Sequence, residues 1–179
     1  MSFTVTRENN ATAEFVLAYD MIQVTPPQCA LDGMKGSPVA DAAGFVAVDP
    51  HTMRHGICEN IFALGDAANS PNSKTVAAVR MQAPVVVRNL LAAIKGKVAG
   101  AGYDGNASCP LTTDYGRIVL AEFAYDGKIT PCFRFDPRVP RRSAWRLKKD
   151  ALPFLCWRIM LKGINLDFGH RERRPDHAA

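Results

Sequence analysis

The 179-residue sequence has no CxxC pair, no Cys/His set at zinc-ligand spacing, no internal repeat and no low-complexity tract. Its cysteines, Cys29, Cys58, Cys109, Cys132 and Cys156, are too scattered for a structural metal centre, so none is expected. His51 and His55 stand four apart, but Pro50 and the missing intervening Glu exclude a metalloprotease helix, and the pair reads as solvated loop. The odd cysteine count and the lack of a secretory signal argue against a disulfide scaffold and for a reducing or membrane-facing compartment. The longest apolar run, Ala151 to Trp157, is far short of the ~20 residues that span a bilayer, so no transmembrane helix is expected. The opening residues also lack the strand–GxGxxG–helix unit that holds a dinucleotide pyrophosphate. A literal GxGxxG does occur at Gly100–Gly105, but a helix end precedes it and Asn106-Ala107-Ser108-Cys109-Pro110 follows. It reads as a loop.

The most informative positive feature is Glu59-Asn60-Ile61-Phe62-Ala63-Leu64-Gly65-Asp66-Ala67-Ala68. Its apolar block Ile61–Leu64 has the pattern of a strand covered on both faces. Gly65 permits a tight turn or close backbone approach, and Asp66 sets a carboxylate where ligands of open α/β sheets bind. By itself the run fits equally well a buried strand, a turn and an N-capping Asp. Downstream, Val79, Ala83, Val86, Val87, Leu90, Leu91 and Ile94 recur at helical spacing, which predicts a helix from about Val76 to Ile94 with those residues as its core face. Ser73 is the expected N-cap, Gly96 the expected stop, and Pro84 a place to kink or break. The amide donors at this helix start, with Lys74 beside them, suit an anion or a ring that becomes anionic on reduction.

Residues 44–79, GFVAVDPHTMRHGICENIFALGDAANSPNSKTVAAV, resemble the second FAD-binding signature of two-dinucleotide-binding-domain flavoproteins. SPNSKTVAAV, YDGNASCPLTTDYGRIVLAEF and LPFLCWRIMLKG look more specifically like the mitochondrial-type branch of sulfide:quinone oxidoreductase. The resemblance runs from about Ala18 to Gly163 and implies an α/β, Rossmann-like fold with FAD as cofactor. Gly65 and Asp66 would then meet the ribityl chain, and Lys74 and Thr75 the isoalloxazine. It also implies the C-terminal part of a longer enzyme, since the family opens with a pyrophosphate-binding unit. Residues 2–7 and 14–19 read instead as a hairpin around Glu8-Asn9-Asn10, and Thr25-Pro26-Pro27 matches the family's return from the second dinucleotide domain.

Read from the residues alone, Cys109 sits in a loop before Pro110, ahead of the strand-like Arg117–Ala121, and a lone cysteine there fits a small buried hydrophobe. The resemblance makes it one of two redox cysteines flanking the flavin, which form a disulfide or a bridge carrying extra sulfur that sulfide opens as nucleophile. The resulting thiolate or persulfide passes electrons to FAD. The second redox cysteine is expected in a part of the family's chain that this one lacks. The other four cysteines read as structural or incidental, with Cys58 the first to check.

From Arg141 onward ten Lys/Arg face four Asp/Glu, while residues 1–140 hold twelve and thirteen, so the basic character is local. Trp145, Leu152, Phe154, Leu155, Trp157, Ile159, Met160 and Leu161 are interleaved with basic residues there. Core packing, docking on a membrane surface and single-strand nucleic-acid binding all remain open from composition. No RNP-like or helix-turn-helix pattern supports nucleic acid. The resemblance favours an amphipathic helical tail that dips into the membrane and shapes a quinone pocket, with Phe154, Trp157 and Lys162 as residues to test.

The expected layout is therefore three segments. Residues 1–44 are a partial second dinucleotide-binding segment, and 45–98 the FAD-binding strand and helix. Residues 99–179 hold the redox-cysteine loop, a β segment and the quinone or membrane region, ending in a polar tail. Expected partners are quinone, sulfide with a sulfur acceptor, a bacterial or mitochondrial inner-membrane surface, and the absent N-terminal FAD-binding half. A type II NADH:quinone dehydrogenase or a flavocytochrome sulfide dehydrogenase would use the same frame. An apo membrane-interaction module without flavin is the non-enzyme alternative.

Overall fold

The computed structural model describes residues 2–6, 11–131 and 136–164. The chain opens with an antiparallel hairpin, β1 (Ser2–Thr6) and β2 (Thr12–Val16), with Ser2 opposite Val16 and Thr6 opposite Thr12. The Glu8-Asn9-Asn10 turn, Cys132 and the polar tail beyond Ile164 lie outside the described residues. After β2 the chain runs exposed through Thr25-Pro26-Pro27, and Ala30 is the first buried residue after that strand.

Residues 39–69 are short extended pieces held by single bridges. Ala40 pairs with Val46, Val48 with His55 and Arg54 with Phe62 in antiparallel sense, and Val46 pairs with Ala68 in parallel. Asp49 builds the reversal between the second pair. Its Oδ1 accepts from the amides of Thr52 (2.7 Å) and His51 (3.1 Å) and from the Thr52 hydroxyl (2.8 Å), the self-bonding that makes Asp a turn former. Burial opposes the charged form, yet these donors hold the carboxyl below its ordinary range. Met53, at φ 59°, then drops a fully buried side chain into the core. Ile61–Leu64 is extended but only half-buried and carries one bridge, so it is not the doubly covered strand that its composition predicts. Only one neighbour pairs with it among the described residues, so its apolar run is covered on fewer sides than a central strand would be.

Helix α1 (Val76–Ile94) has the predicted bounds. Thr75, not Ser73, is its N-cap: the Thr75 hydroxyl accepts from the Ala78 amide at 3.2 Å. At the other end Gly96 is left-handed (φ 65°), with Gly96 N–H donating to Ala93 O and Lys97 N–H to Ala92 O. That pair is the Schellman closure, and only glycine takes this backbone without strain. The helix runs through Pro84 unbroken. Its inward stripe is Ala78, Gln82, Val85 and Asn89, while Val87, Leu90, Leu91 and Ile94 stand exposed. The expected core face is thus turned, and the reason is polar. Asn89 accepts from Ala101 N–H (3.0 Å) and donates to Ala101 O (3.0 Å) and Thr52 O (2.9 Å), so it pins the helix to two loops whose backbone groups need buried partners. By length and apolarity α1 could cross a membrane, but these carboxamides commit its inner face to protein.

The Gly100–Gly105 run is a loop, as its flanks predict. It leads into β3 (Ala107–Asp114), paired antiparallel with β4 (Arg117–Phe123). Ile118 and Leu120 of β4 are buried, and Ile118 also exchanges backbone bonds with Arg141 (2.9 and 3.3 Å). That contact launches α2 (Arg142–Arg146), whose Ala144 is buried against β4. A π-helical turn, Leu147–Ala151, continues into α3 (Leu152–Arg158), and Ile159 leaves helical geometry at φ −124°. The core of Val46, Val48, Met53, Ala68, Val85 and Tyr103 lies where the bridged segments, α1 and the 97–106 loop meet.

Candidate functional site

The extended run ends in a one-turn 3-10 helix, Gly65–Ala67, which exposes the Asp66 side chain. Gly65 is buried at φ 60°, and a Cβ there would lie 2.9 Å from Val79 Cγ2 of α1, so the turn and the helix approach too closely for any other residue. Its amide donates to the buried Gln82 Oε1 at 2.8 Å. The chain passes Ala68, whose carbonyl accepts from the Lys74 ammonium, and reaches the Thr75 cap. Lys74 also lies over the Phe45 ring, 4.1 Å from its centroid. Burial pushes the Lys74 ammonium down, against the attraction of Asp66 and Asp41 that holds its proton. Gly65, Asp66, Lys74 and Thr75 are therefore one cluster: an exposed carboxylate and a half-buried cation at the N-terminus of a 19-residue helix.

Cys109 belongs to a different element. It lies within β3 opposite Ala121, half-buried, and not in the loop its neighbours predict. The Pro110 that follows is itself a strand residue, opposite Leu120. Lys148, from the π-helical turn, donates to Pro110 O and Thr112 Oγ1, both at 2.9 Å, so the basic segment grips the strand one residue from the thiol. β3 packs on α1, the helix whose N-terminus carries the Asp66 cluster. Cys29, Cys58, Cys109 and Cys156 are free thiols. The Cys58 amide donates to Nδ1 of the buried His55 at 2.8 Å, which gives that residue a role in the turn. No group of three metal-ligating side chains occurs among the described residues. Phe154 (61% exposed), Trp157 (70%) and Lys162 are on the outer part of the helical segment, apart from this cluster and facing solvent.

Two further positions escape a reading based on apolar periodicity. The Tyr103 hydroxyl is buried, donates to Asn106 O at 2.6 Å and accepts from Asn72 Nδ2 at 2.5 Å and from Gln82. Burial, with Tyr125 and Asp104 nearby, raises its pKa well above the phenol range. The usable signal is Gln82 and Asn89, two carboxamides seven apart in a helix that is otherwise apolar except for Arg80 and Arg88, a spacing that puts both on one face.

Comparison with known proteins fits this arrangement. The chain is 44% identical over 148 residues to mitochondrial sulfide:quinone oxidoreductase of Mus musculus, covering 83% of this chain and 33% of that protein. It is 44% identical over 146 residues to the Dictyostelium discoideum protein of the same name (81% and 32%). The Schizosaccharomyces pombe protein is 40% identical over 168 residues (91% and 36%). It is a relative of the mitochondrial-type sulfide:quinone oxidoreductases. The chain spans about a third of the length of these curated relatives. No protein-family model matches it. A chain in the cryo-EM structure of the Tetrahymena thermophila mitochondrial ATP synthase shares the fold at TM-score 0.67 and 24% identity, over 86% of this chain and 37% of that one. The sequence similarity to the sulfide:quinone oxidoreductases extends over both the Asp66 cluster and the Cys109 strand.

Proposed function

We propose that the chain is the C-terminal part of a sulfide:quinone oxidoreductase-like flavoprotein, with Asp66 and the α1 N-terminus as its FAD-facing side and Cys109 as its sulfur-handling residue. The observation that supports this is an exposed Asp66 at the N-terminus of α1, together with a free thiol on the strand that packs against the same helix. The residues present fit that cofactor on one side. An ionised carboxylate accepts strong hydrogen bonds from hydroxyls, and helix amides with a nearby cation favour a ring that gains negative charge. Bound FAD would supply two-electron acceptance from thiol chemistry and release to a quinone. Asp66 holds the hydroxyls in this reading, Thr75 keeps the helix start formed, and Lys74 adds charge while bracing Ala68 O. Sulfide opens a disulfide between Cys109 and the family's second redox cysteine, leaving a persulfide on Cys109 and the electron pair on the partner thiolate. A sulfur acceptor takes the outer sulfur, and the two-electron acceptance that bound FAD would supply restores the disulfide.

A flavin titration tests this reading. FAD added to the purified chain should lose fluorescence and stay bound through gel filtration, and Asp66→Ala should weaken binding about tenfold or more, the value of a charge-assisted hydrogen bond. A chain that emerges colourless would overturn it.

The outer helical segment serves in this proposal as the contact with a mitochondrial inner-membrane surface from which quinone is drawn. Leu152, Phe154, Trp157, Leu161 and Ile164 are all exposed there beside Lys149, Arg158 and Lys162. Apolar and tryptophan side chains amid cations suit the headgroup plane of anionic lipid. In flotation at low salt the chain should rise with anionic vesicles, and Phe154→Ala with Trp157→Ala should leave it at the bottom. Equal flotation of the double variant sinks the docking claim.

A further inference from the structure

Gln82 and Tyr103 are both nearly solvent-free, at 1% and 3% exposure, and each carries polar atoms whose burial is costly unless every one is matched. Gln82 uses both ends of its carboxamide: Oε1 takes the Gly65 amide, and the nitrogen donates to the Tyr103 hydroxyl. That hydroxyl is in turn fully engaged, with Asn72 as a second donor and Asn106 O as its acceptor. Asn72 Oδ1 accepts from the Ser70 hydroxyl at 2.8 Å, closing the chain onto the loop that bears Lys74. Asn106 is the residue before β3, which starts at Ala107, and lies three positions ahead of Cys109. The Gly65 turn, the Asn72 loop, α1 and the Tyr103–Asn106 loop thus meet at one carboxamide and one phenol.

We infer that Gln82 and Tyr103 form a positioning node that fixes the Asp66 turn, the Ser70–Lys74 loop and the base of the Cys109 strand relative to one another. Neither is a catalytic residue. Their part is to hold an exposed carboxylate, a cation and a thiol, each on a short or irregular element, in one arrangement. Apolar packing alone would do this poorly, because the Gly65–Ala67 turn has a single buried residue of its own. A satisfied buried network resists sliding, whereas a half-satisfied one is worse than none. The geometry of the node stands by itself, and only its bearing on flavin rests on the function proposed above.

The test uses Gln82→Met, of similar size but without polar ends, and Tyr103→Phe, which removes only the hydroxyl, both in the full 179-residue chain. Amide hydrogen exchange is followed by NMR at Gly65 and, as an internal reference, at Val85 inside α1. Gly65 should exchange about tenfold faster in Gln82→Met and several-fold faster in Tyr103→Phe with Val85 unaltered, and iodoacetamide should modify Cys109 at a changed rate in both. Should Gln82→Met fail to fold, Tyr103→Phe decides. Wild-type exchange at Gly65, or equal acceleration of Gly65 and Val85, overturns the node. If the wild-type chain takes up FAD, Gln82→Met should also weaken that binding about tenfold. A wild-type chain that takes up none sinks the flavin reading and leaves the node judged by exchange alone.

Discussion

Gly105→Ala should cost about 2 to 5 kcal/mol of folding stability, the largest loss expected from removing no side-chain atom at all. Two terms add. Gly105 sits at φ 84°, where an L residue is strained by about 1–2 kcal/mol. The new methyl would also point into the Tyr125 ring and lie 2.6 Å from the Tyr125 amide nitrogen, and overpacking of that kind costs about 1–3 kcal/mol. The ring cannot swing away cheaply. Its hydroxyl donates to Pro50 O at 2.5 Å, and it stands edge-on to His51 (5.7 Å) and Tyr103 (5.8 Å). Burial, with Asp49 and Asp104 nearby, keeps that phenol protonated far above its ordinary range, so the Pro50 bond persists to high pH. Thermal unfolding followed by circular dichroism should show a drop on the order of 10 °C for a chain of this size. Gly116→Ala is the control: φ 75° but nothing within 4 Å, so only the backbone term remains. Equal losses in the two variants would mean that Tyr125 yields and that the packing argument is wrong.

That glycine shows where the sequence could be read and where it could not. Local signals worked where the determining partner is a near neighbour. The bounds of α1 follow from periodicity, the Gly96 stop from a left-handed cap, and the hairpin from alternation, because helix and turn chemistry are settled within a few residues. The GxGxxG run at Gly100–Gly105 is the loop that its flanks predict, yet nothing in those flanks says that Gly105 clears space for Tyr125, twenty residues on. The same limit explains α1. Its apolar count points to Val87, Leu90, Leu91 and Ile94, but Gly65, Thr52 and Ala101 offer buried backbone groups that only Gln82 and Asn89 can satisfy, so the helix turns that stripe inward. Cys109 was misplaced in a loop because Ser-Cys-Pro reads as a turn locally, whereas the cross-strand partners Ala121 and Leu120 make it strand. Pairing is non-local, and Pro110 tolerates it in a ribbon that is two-stranded among the described residues and so leaves β3 one side without a strand partner there. At the candidate site the residues were legible as types, and their mutual bracing was not.

Cys109→Ser should remove most of the sulfane sulfur that the chain can take up. The proposed role needs Cys109 as a thiolate that accepts sulfur, and that ability can be measured without flavin or a second redox cysteine. With inorganic polysulfide, the thiolate attacks a terminal sulfur–sulfur bond, a new S–S bond forms on Cys109, and the shortened polysulfide leaves with the electron pair. Cyanide then releases the added sulfur, and mass spectrometry of the cysteine peptides shows where it sat. The control is built into the fold. Cys29 is exposed, whereas Cys109 is only half-buried, so access alone would favour Cys29. Site chemistry favours Cys109, because Lys148 is anchored on the carbonyl of the next residue, and a cation there attracts the anionic polysulfide. The expected result is that most cyanide-labile sulfur sits on Cys109, that Cys109→Ser lowers the total to near background, and that Cys29→Ser leaves it almost unchanged. Lys148→Met should slow the loading while keeping Cys109 as the preferred thiol. If sulfur instead partitions by exposure, with Cys29 leading, Cys109 has no privileged chemistry, and the NADH:quinone dehydrogenase frame, which needs no redox cysteine, becomes the better reading of the same Asp66 cluster.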